Sequence, residues 1–395
     1  MLAIVAPGQG AQTPGFLSPW LVEPTFATRL GWLSTVANLD LVHYGTEADA
    51  ESIRDTAIAQ PLLVAAGLLT AVELFPSPAD GFRRTGVAAG HSVGEITAAG
   101  ATGVLTAEQA MVFVRERGKA MAEASALEPT GMSAVVGGEA EEVLALLATL
   151  GLTPANNNGK GQIVAAGSLT LLRKLADNPP AKARVMPLSV AGAFHTEYMA
   201  SARAELEALV EGLSPADPSR LLLSNADGAA VTSGREVLSR LVSQVTSPVR
   251  FDACLGTMRD LGVTALLELP PAGALAGLAK REWKGSDIEV LALAGPADLD
   301  RARELISAER SRSEAEHLPD WRVVVSPVRG TVSPAGISEG TRLPAGTPLG
   351  RISSRRQEAD VSAGYDGVLA EWLVADGDLV DAGDPIARLY PEVQS

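Results

Sequence analysis

The stretch Gly86-Val87-Ala88-Ala89-Gly90-His91-Ser92-Val93-Gly94-Glu95 is a short apolar run that ends on a serine set between two glycines and opens an Ala-rich segment. Such a run predicts a buried strand, a sharp turn and a helix. Glycines let the backbone turn tightly enough to leave the serine hydroxyl exposed above the sheet, the arrangement of a nucleophile elbow. The helix N-terminus behind it supplies unpaired N–H groups and a positive dipole end, which favour negative charge developing on a substrate oxygen. Read alone, G-x-S-x-G is equally a Gly-bounded turn with an idle serine; the strand before it and the helix after it favour catalysis.

The rest of the chain sets bounds on that chemistry. Its 395 residues suit two or three domains, and 46% hydrophobic residues supply ample core. A formal net charge of −15 without a basic footprint argues against nucleic acid and against an anionic membrane surface as partners. The N-terminus has no basic leader pattern, and the longest apolar stretch, Pro61 to Val72, is short for a membrane span. Cys254 stands alone, and the four histidines, His43, His91, His195 and His317, are scattered, so neither an internal disulfide nor a structural zinc site is expected. The expectation is a cytoplasmic protein without a metal.

Outward from the elbow, Leu2 to Ala6 predicts a buried strand stopped by Pro7-Gly8-Gln9-Gly10-Ala11-Gln12, a turn that brings an amide and backbone N–H groups to a strand end, where open α/β sheets bind ligands. Thr25 to Val72 reads as mostly helical, with Pro61 at an early helix position. Thr106-Ala107-Glu108-Gln109 is a capping box opening a helix to about Ala126, and Ala110, Val114, Arg117 and Met121 share one stripe of it. Arg117 therefore faces inward, either in a structural salt bridge or as a receptor for a carboxylate, while Arg115 and Lys119 look solvated. Residues 131–190 read as a βαβαβ insertion. His195 follows in a helix-entry loop, and imidazole is the side chain best suited to take and return a serine proton near neutral pH. Further alternation through Pro270-Pro271-Ala272-Gly273 keeps the first 305 residues or so in the α/β class.

Residues 306–320, highly charged, read as a linker. Beyond them the sequence repeats with a period of 37: Gly330, Gly340, Gly346, Pro348 and Arg351 recur as Gly367, Gly377, Gly383, Pro385 and Arg388, and Val332, Leu343 and Ile352 as Leu369, Val380 and Leu389. This predicts two similar all-β halves closed into a small flattened barrel, since neither half alone buries a core.

Taken in order, Gly8-Gln9-Gly10-Ala11-Gln12, Gly90 to Glu95, Arg117 to Met121, Asn156 to Gly167, Ala193-Phe194-His195 and Gln244 to Phe251 resemble the malonyl-CoA:acyl carrier protein transacylases and related acyltransferase domains, over about residues 1–305. The resemblance implies an α/β-hydrolase-like core with an inserted ferredoxin-like subdomain at about 128–190. It implies a Ser92 nucleophile, a His195 base and acid, and an oxyanion hole of Gln9 and the Val93 N–H. Arg117 would hold the malonyl carboxylate and the carbonyl near Gln244 would orient His195; His91, Phe194 and Gln162 would belong to the substrate pocket. The implied partners are malonyl-CoA and acyl carrier protein, and no cofactor is called for. Residues 321–392 resemble biotinyl and lipoyl carrier domains, but the modified Lys position is taken by Arg356, flanked by Arg355 and Gln357. Two rivals remain open: a serine esterase or thioesterase, which would complete a triad with Asp or Glu and bury no cation, and a scaffold acting through its C-terminal domain.

Overall fold

The computed structural model describes residues 1–75, 86–316, 322–355 and 357–391. They form two compact units, Met1–Arg312 and Ser313–Ser395. The first unit begins β1 (Leu2–Ala6), α1 (Pro24–Ala37), α2 (Leu41–Thr46), α3 (Thr56–Leu74), β2 (Val87–Gly90), α4 (Gly94–Ala101) and α5 (Ala107–Leu127). It continues β3 (Thr130–Gly137), α6 (Ala140–Leu150), β4 (Thr153–Asn157), β5 (Gln162–Ser168), α7 (Leu169–Asp177), β6 (Ala183–Pro187) and α8 (Ala200–Val210). It is completed by β7 (Leu221–Leu223), β8 (Ala230–Val231), α9 (Gly234–Ser243), β9 (Val249–Arg250), α10 (Phe251–Asp260), β10 (Ala265–Glu268), α11 (Ala274–Glu282), β11 (Glu289–Ala292) and α12 (Leu299–Glu316).

The main sheet has the order β11-β10-β1-β2-β7-β8, parallel except for the β7–β8 pair. Every residue of β1 and β2 is buried, which is why both read as continuous apolar runs rather than alternating ones. Their register sets Ala6 beside Gly90, so the Pro7–Gln12 turn and the elbow leave the sheet side by side at its carboxyl edge.

Pro61 lies inside α3, not near its start, because Asp55 caps the helix a turn earlier by accepting from the Ala57 N–H. The 19-residue helix is long and apolar enough to cross a bilayer, longer than the run from Pro61 to Val72 suggests. However, 78% of its apolar window is buried in the protein, and it packs along α5. Gly118 makes that approach possible: a Cβ there would meet the Thr56 carbonyl oxygen at 2.9 Å. The capping box at Thr106 and Gln109 forms as the sequence implies, and Ala110, Val114, Arg117 and Met121 are all buried. Arg115 is less solvated than expected, with Nη1 donating to the Val36 carbonyl.

The inserted region adds a second sheet, β6-β3-β5-β4-β9. The pairs among β3, β4, β5 and β6 are antiparallel, giving a βαββαβ run rather than βαβαβ, and β9 joins β4 in parallel. The missing strand, β4, is Thr-Pro-Ala-Asn-Asn, whose Pro154 and asparagines read as a loop; its pairing with β5 supplies what local propensity does not.

The stretch expected as a linker is helical through Glu316, since α12 continues from Leu299. Glu309 within it is buried, accepting from the Met1 ammonium at 2.9 Å and from the Thr264 hydroxyl, so burial of one carboxylate anchors a segment that composition marks as free. Residues 317–321, Arg356 and the end of the expected C-terminal domain at 392 lie outside the described residues.

The second unit consists of β12 (Arg322–Val325), β13 (Gly330–Pro334), β14 (Arg342–Leu343), β15 (Pro348–Ser353), β16 (Glu358–Ser362), β17 (Gly367–Trp372), β18 (Leu379–Val380) and β19 (Pro385–Pro391). Its two sheets run β12-β19-β17-β14 and β16-β15-β13-β18. The 37-residue repeat maps one order onto the other strand by strand. Val332, Leu343, Leu349 and Ile352 share one core with their counterparts Leu369, Val380, Ile386 and Leu389. Gly340 and Gly377, and Gly346 and Gly383, turn with φ of 85° and 90°, and 84° and 94°.

Candidate active site

The elbow is built more by close approach than by glycine torsions. Ser92 itself carries the left-handed φ, 53°. A Cβ on Gly90 would meet the Gly94 carbonyl carbon at 2.0 Å, and one on Gly94 would meet the Ala6 oxygen at 2.2 Å. The two glycines therefore let α4 start directly against β1 and β2. Asn225, at the end of β7, ties the turn down: its Oδ1 accepts from the Ser92 N–H at 2.8 Å and its Nδ2 donates to the Gly90 carbonyl at 2.7 Å. Val93 is fully buried, and among the described residues no acceptor lies in range of its backbone N–H.

His195, brought over from the loop before α8, stands with Nε2 2.7 Å from Ser92 Oγ. Its Nδ1 is 2.8 Å from the backbone carbonyl oxygen of Gln244. A carbonyl only accepts, so the proton sits on Nδ1 and the Nε2 lone pair faces the serine hydroxyl. Among the described residues no carboxylate completes the relay. Burial, followed by the nearby Arg117 charge, pushes His195 down to about 3, which keeps the ring neutral. Like Ser92, His195 has a left-handed φ, here 62°, in a backbone region that bulky residues rarely occupy.

Arg117 has no exposed surface. Nη1 donates to Gln60 Oε1 at 2.7 Å, and Nη2 to Gln244 Oε1 at 2.9 Å and to Ser92 Oγ at 3.4 Å. Its Nε is buried without a hydrogen-bond partner, and among the described residues no carboxylate is within ion-pair distance of it. The structural salt bridge is thereby removed as an explanation for the inward arginine. Burial lowers Arg117 to about 10, partly offset by Glu95.

The remaining residues expected at the site fall at different distances from it. His91 lines the turn, its Nε2 2.8 Å from Asn158 Oδ1 and its ring edge-on to Phe251 at 5.5 Å between centroids. Gln162 reaches it only through Asn158, whose Nδ2 donates to Gln162 Oε1 at 3.3 Å. Phe194 is buried beside His195. The Gln9 side chain points to the start of α3, with Nε2 donating to Thr56 Oγ1 at 3.2 Å and to the Arg54 carbonyl at 3.3 Å.

Sequence reading missed Gln60, Asn158 and Asn225, and left Glu95 without a role. Glu95 is three residues past the nucleophile, on the first turn of α4, and 3% exposed. Burial raises it to about 7, against hydrogen bonds that favour its charged form. Only a carboxylate inside an Ala-rich helix marked it out in the sequence.

A family model described as acyl transferase domain matches residues 5–318, a range that ends before β12. Malonyl CoA-acyl carrier protein transacylase of Mycobacterium tuberculosis is 52% identical over 305 residues, covering 77% of this chain and 100% of that protein. The crystal structure of MCAT from Mycobacterium tuberculosis, also 52% identical, superimposes with a TM-score of 0.73 over 77% of this chain and 99% of its own. A type II PKS acyl-carrier protein in complex with its malonyl-transacylase gives a TM-score of 0.71 at 28% identity, over 77% and 99% of the two chains.

Proposed function

The chain belongs to the acyl transferase domain family as a malonyl CoA-acyl carrier protein transacylase, and we propose that it works by ping-pong transfer through Ser92 and His195. The observation that carries this reading is the line Ser92 Oγ, His195 Nε2, His195 Nδ1, Gln244 carbonyl, with the unpaired cation of Arg117 beside the hydroxyl. Neutral His195 takes the Ser92 proton as Oγ attacks the malonyl thioester carbonyl. The tetrahedral oxyanion is held by backbone N–H groups, and the imidazolium returns its proton to the departing CoA thiolate. The phosphopantetheine thiol of the carrier protein then gives its proton to His195, attacks the malonyl ester and restores Ser92.

Val93 N–H is one oxyanion donor. Gln9 supplies the second through its backbone N–H, because its side-chain amide is already tied to Thr56 and Arg54; such donors are each worth about 3 kcal/mol. Arg117 binds the malonyl carboxylate: its fork borders Ser92, and a buried guanidinium gains most from a bidentate anion. His91 and Phe194 line the acyl pocket, and Gln162 supports it through Asn158. A hydrolase triad fits less well, because the partner of His195 is a neutral carbonyl.

On this reading the six-stranded sheet is an α/β-hydrolase-like core, the insertion is ferredoxin-like and the second unit is a biotinyl/lipoyl-like flattened barrel without a modifiable Lys. A single buried cysteine suits a reducing cytoplasm. Incubation with malonyl-CoA and a holo acyl carrier protein should yield malonyl-carrier protein by mass. Release of free malonate at the same rate with or without carrier would identify a hydrolase instead.

A further inference from the structure

Glu95, Gln244 and Asn225 form a buried polar node behind Ser92, which the transfer chemistry does not itself require. Glu95 Oε2 accepts from Gln244 Nε2 at 2.6 Å and from the Asn225 N–H at 3.3 Å. Gln244 Nε2 also lies 3.3 Å from Asn225 Oδ1 and from the Ser92 carbonyl, so all three groups around it are acceptors. The Gln244 amide therefore has one allowed orientation: NH2 towards Glu95, and Oε1 towards Arg117 Nη2 at 2.9 Å. Flipped, it would set donors against the guanidinium. The same residue's main-chain carbonyl holds His195. Through the side chain of one glutamine, a single carboxylate thus orients the cation, while the backbone of the same glutamine holds the base. Glu95 is also the carboxylate whose field acts on Arg117, relayed across the amide rather than through a direct ion pair.

We propose that Glu95 is a positioning residue for malonyl selectivity: by fixing the Gln244 amide it holds the Arg117 fork aimed at the acyl carboxylate. The inference rests on Arg117 being the carboxylate receptor. A neutral amide at position 95 keeps the shape but can turn its own NH2 towards Gln244, releasing that orientation.

The test compares kcat/KM for malonyl-CoA and acetyl-CoA in Glu95→Gln, Gln244→Met and Arg117→Ala, with melting temperatures measured alongside. Gln244→Met removes the amide while keeping the backbone carbonyl that orients His195. Glu95→Gln and Gln244→Met should each lower malonyl transfer about tenfold to a hundredfold, mainly through KM, and acetyl transfer much less. Proportional losses for both substrates, or an unchanged malonyl-to-acetyl ratio in folded Glu95→Gln, would overturn the proposal. Arg117→Ala separates the two levels. If it leaves the ratio unchanged, the carboxylate receptor itself is misassigned; if it collapses the ratio while the other two variants do not, only the role of Glu95 fails.

Discussion

The two units reach order by opposite routes. In Met1–Arg312 the side chains that meet around Ser92 come from six separate segments, at positions 60, 92 and 95, 117, 195, 225 and 244, and only tertiary packing brings them together. In the second unit the paired core positions of the strands are announced by a period of 37, and the two sheets have matching strand orders. Long-range assembly concentrates strain and buried charge at one point, whereas the repeat spreads small apolar contributions evenly.

The sharpest separation of the units is expected from His195→Ala. Removing the base should lower malonyl transfer by about 10²- to 10⁴-fold, with no change in the unfolding of the second unit, measurable by steady-state kinetics and calorimetry.

Glycine substitutions test how each unit is built. Gly94→Ala drives a Cβ into the Ala6 carbonyl, and overpacking against backbone should cost about 3 kcal/mol or more along with activity. Gly377→Ala meets nothing within 4 Å and suffers only from its φ of 90°, a cost of about 1–2 kcal/mol confined to the second unit. Equal losses from the two substitutions, read by denaturant unfolding, would remove the contrast.

Two buried groups give the first unit a pH signature. His195, depressed from 6.5 to about 3, stabilises the fold above pH 6.5 and loses that contribution as pH falls towards 3. Glu95, raised from 4.5 to about 7, contributes below pH 4.5 and loses its contribution as pH rises through 7. Between 4.5 and 6.5 the two slopes oppose. In Glu95→Gln only the His195 slope remains, so stability should rise more steeply with pH over that window than in the parent protein. Parallel curves would show that Glu95 does not titrate there.

The smallest effect is expected from deleting residues 319–395. Transfer to pantetheine, a small thiol, should stay within about twofold, since every group placed in the chemistry lies in the first unit. Loss of that transfer would mean the second unit completes the catalytic one.

How much of this was legible depended on which interaction carried it. Motif residues whose neighbours are local in sequence, the elbow, the Thr106 capping box and the repeat, could be read directly. The inward direction of Arg117 followed from helical spacing, but its freedom from a salt bridge did not, because partners are a tertiary property. β4 was hidden by Pro154 and its asparagines, and the helix running to Glu316 through the stretch expected as a linker was hidden by polarity that one buried carboxylate, Glu309, outweighs. Glu95 escaped assignment because its importance lies in turning an amide 149 positions away.

The most direct test of the account is intact-mass analysis of the full chain after brief exposure to malonyl-CoA, followed by peptide mapping. The account predicts one malonyl group, on Ser92, discharged by a holo carrier protein and absent from Ser92→Ala. A malonyl adduct that persists on Ser92→Ala and is passed on to the carrier would contradict it.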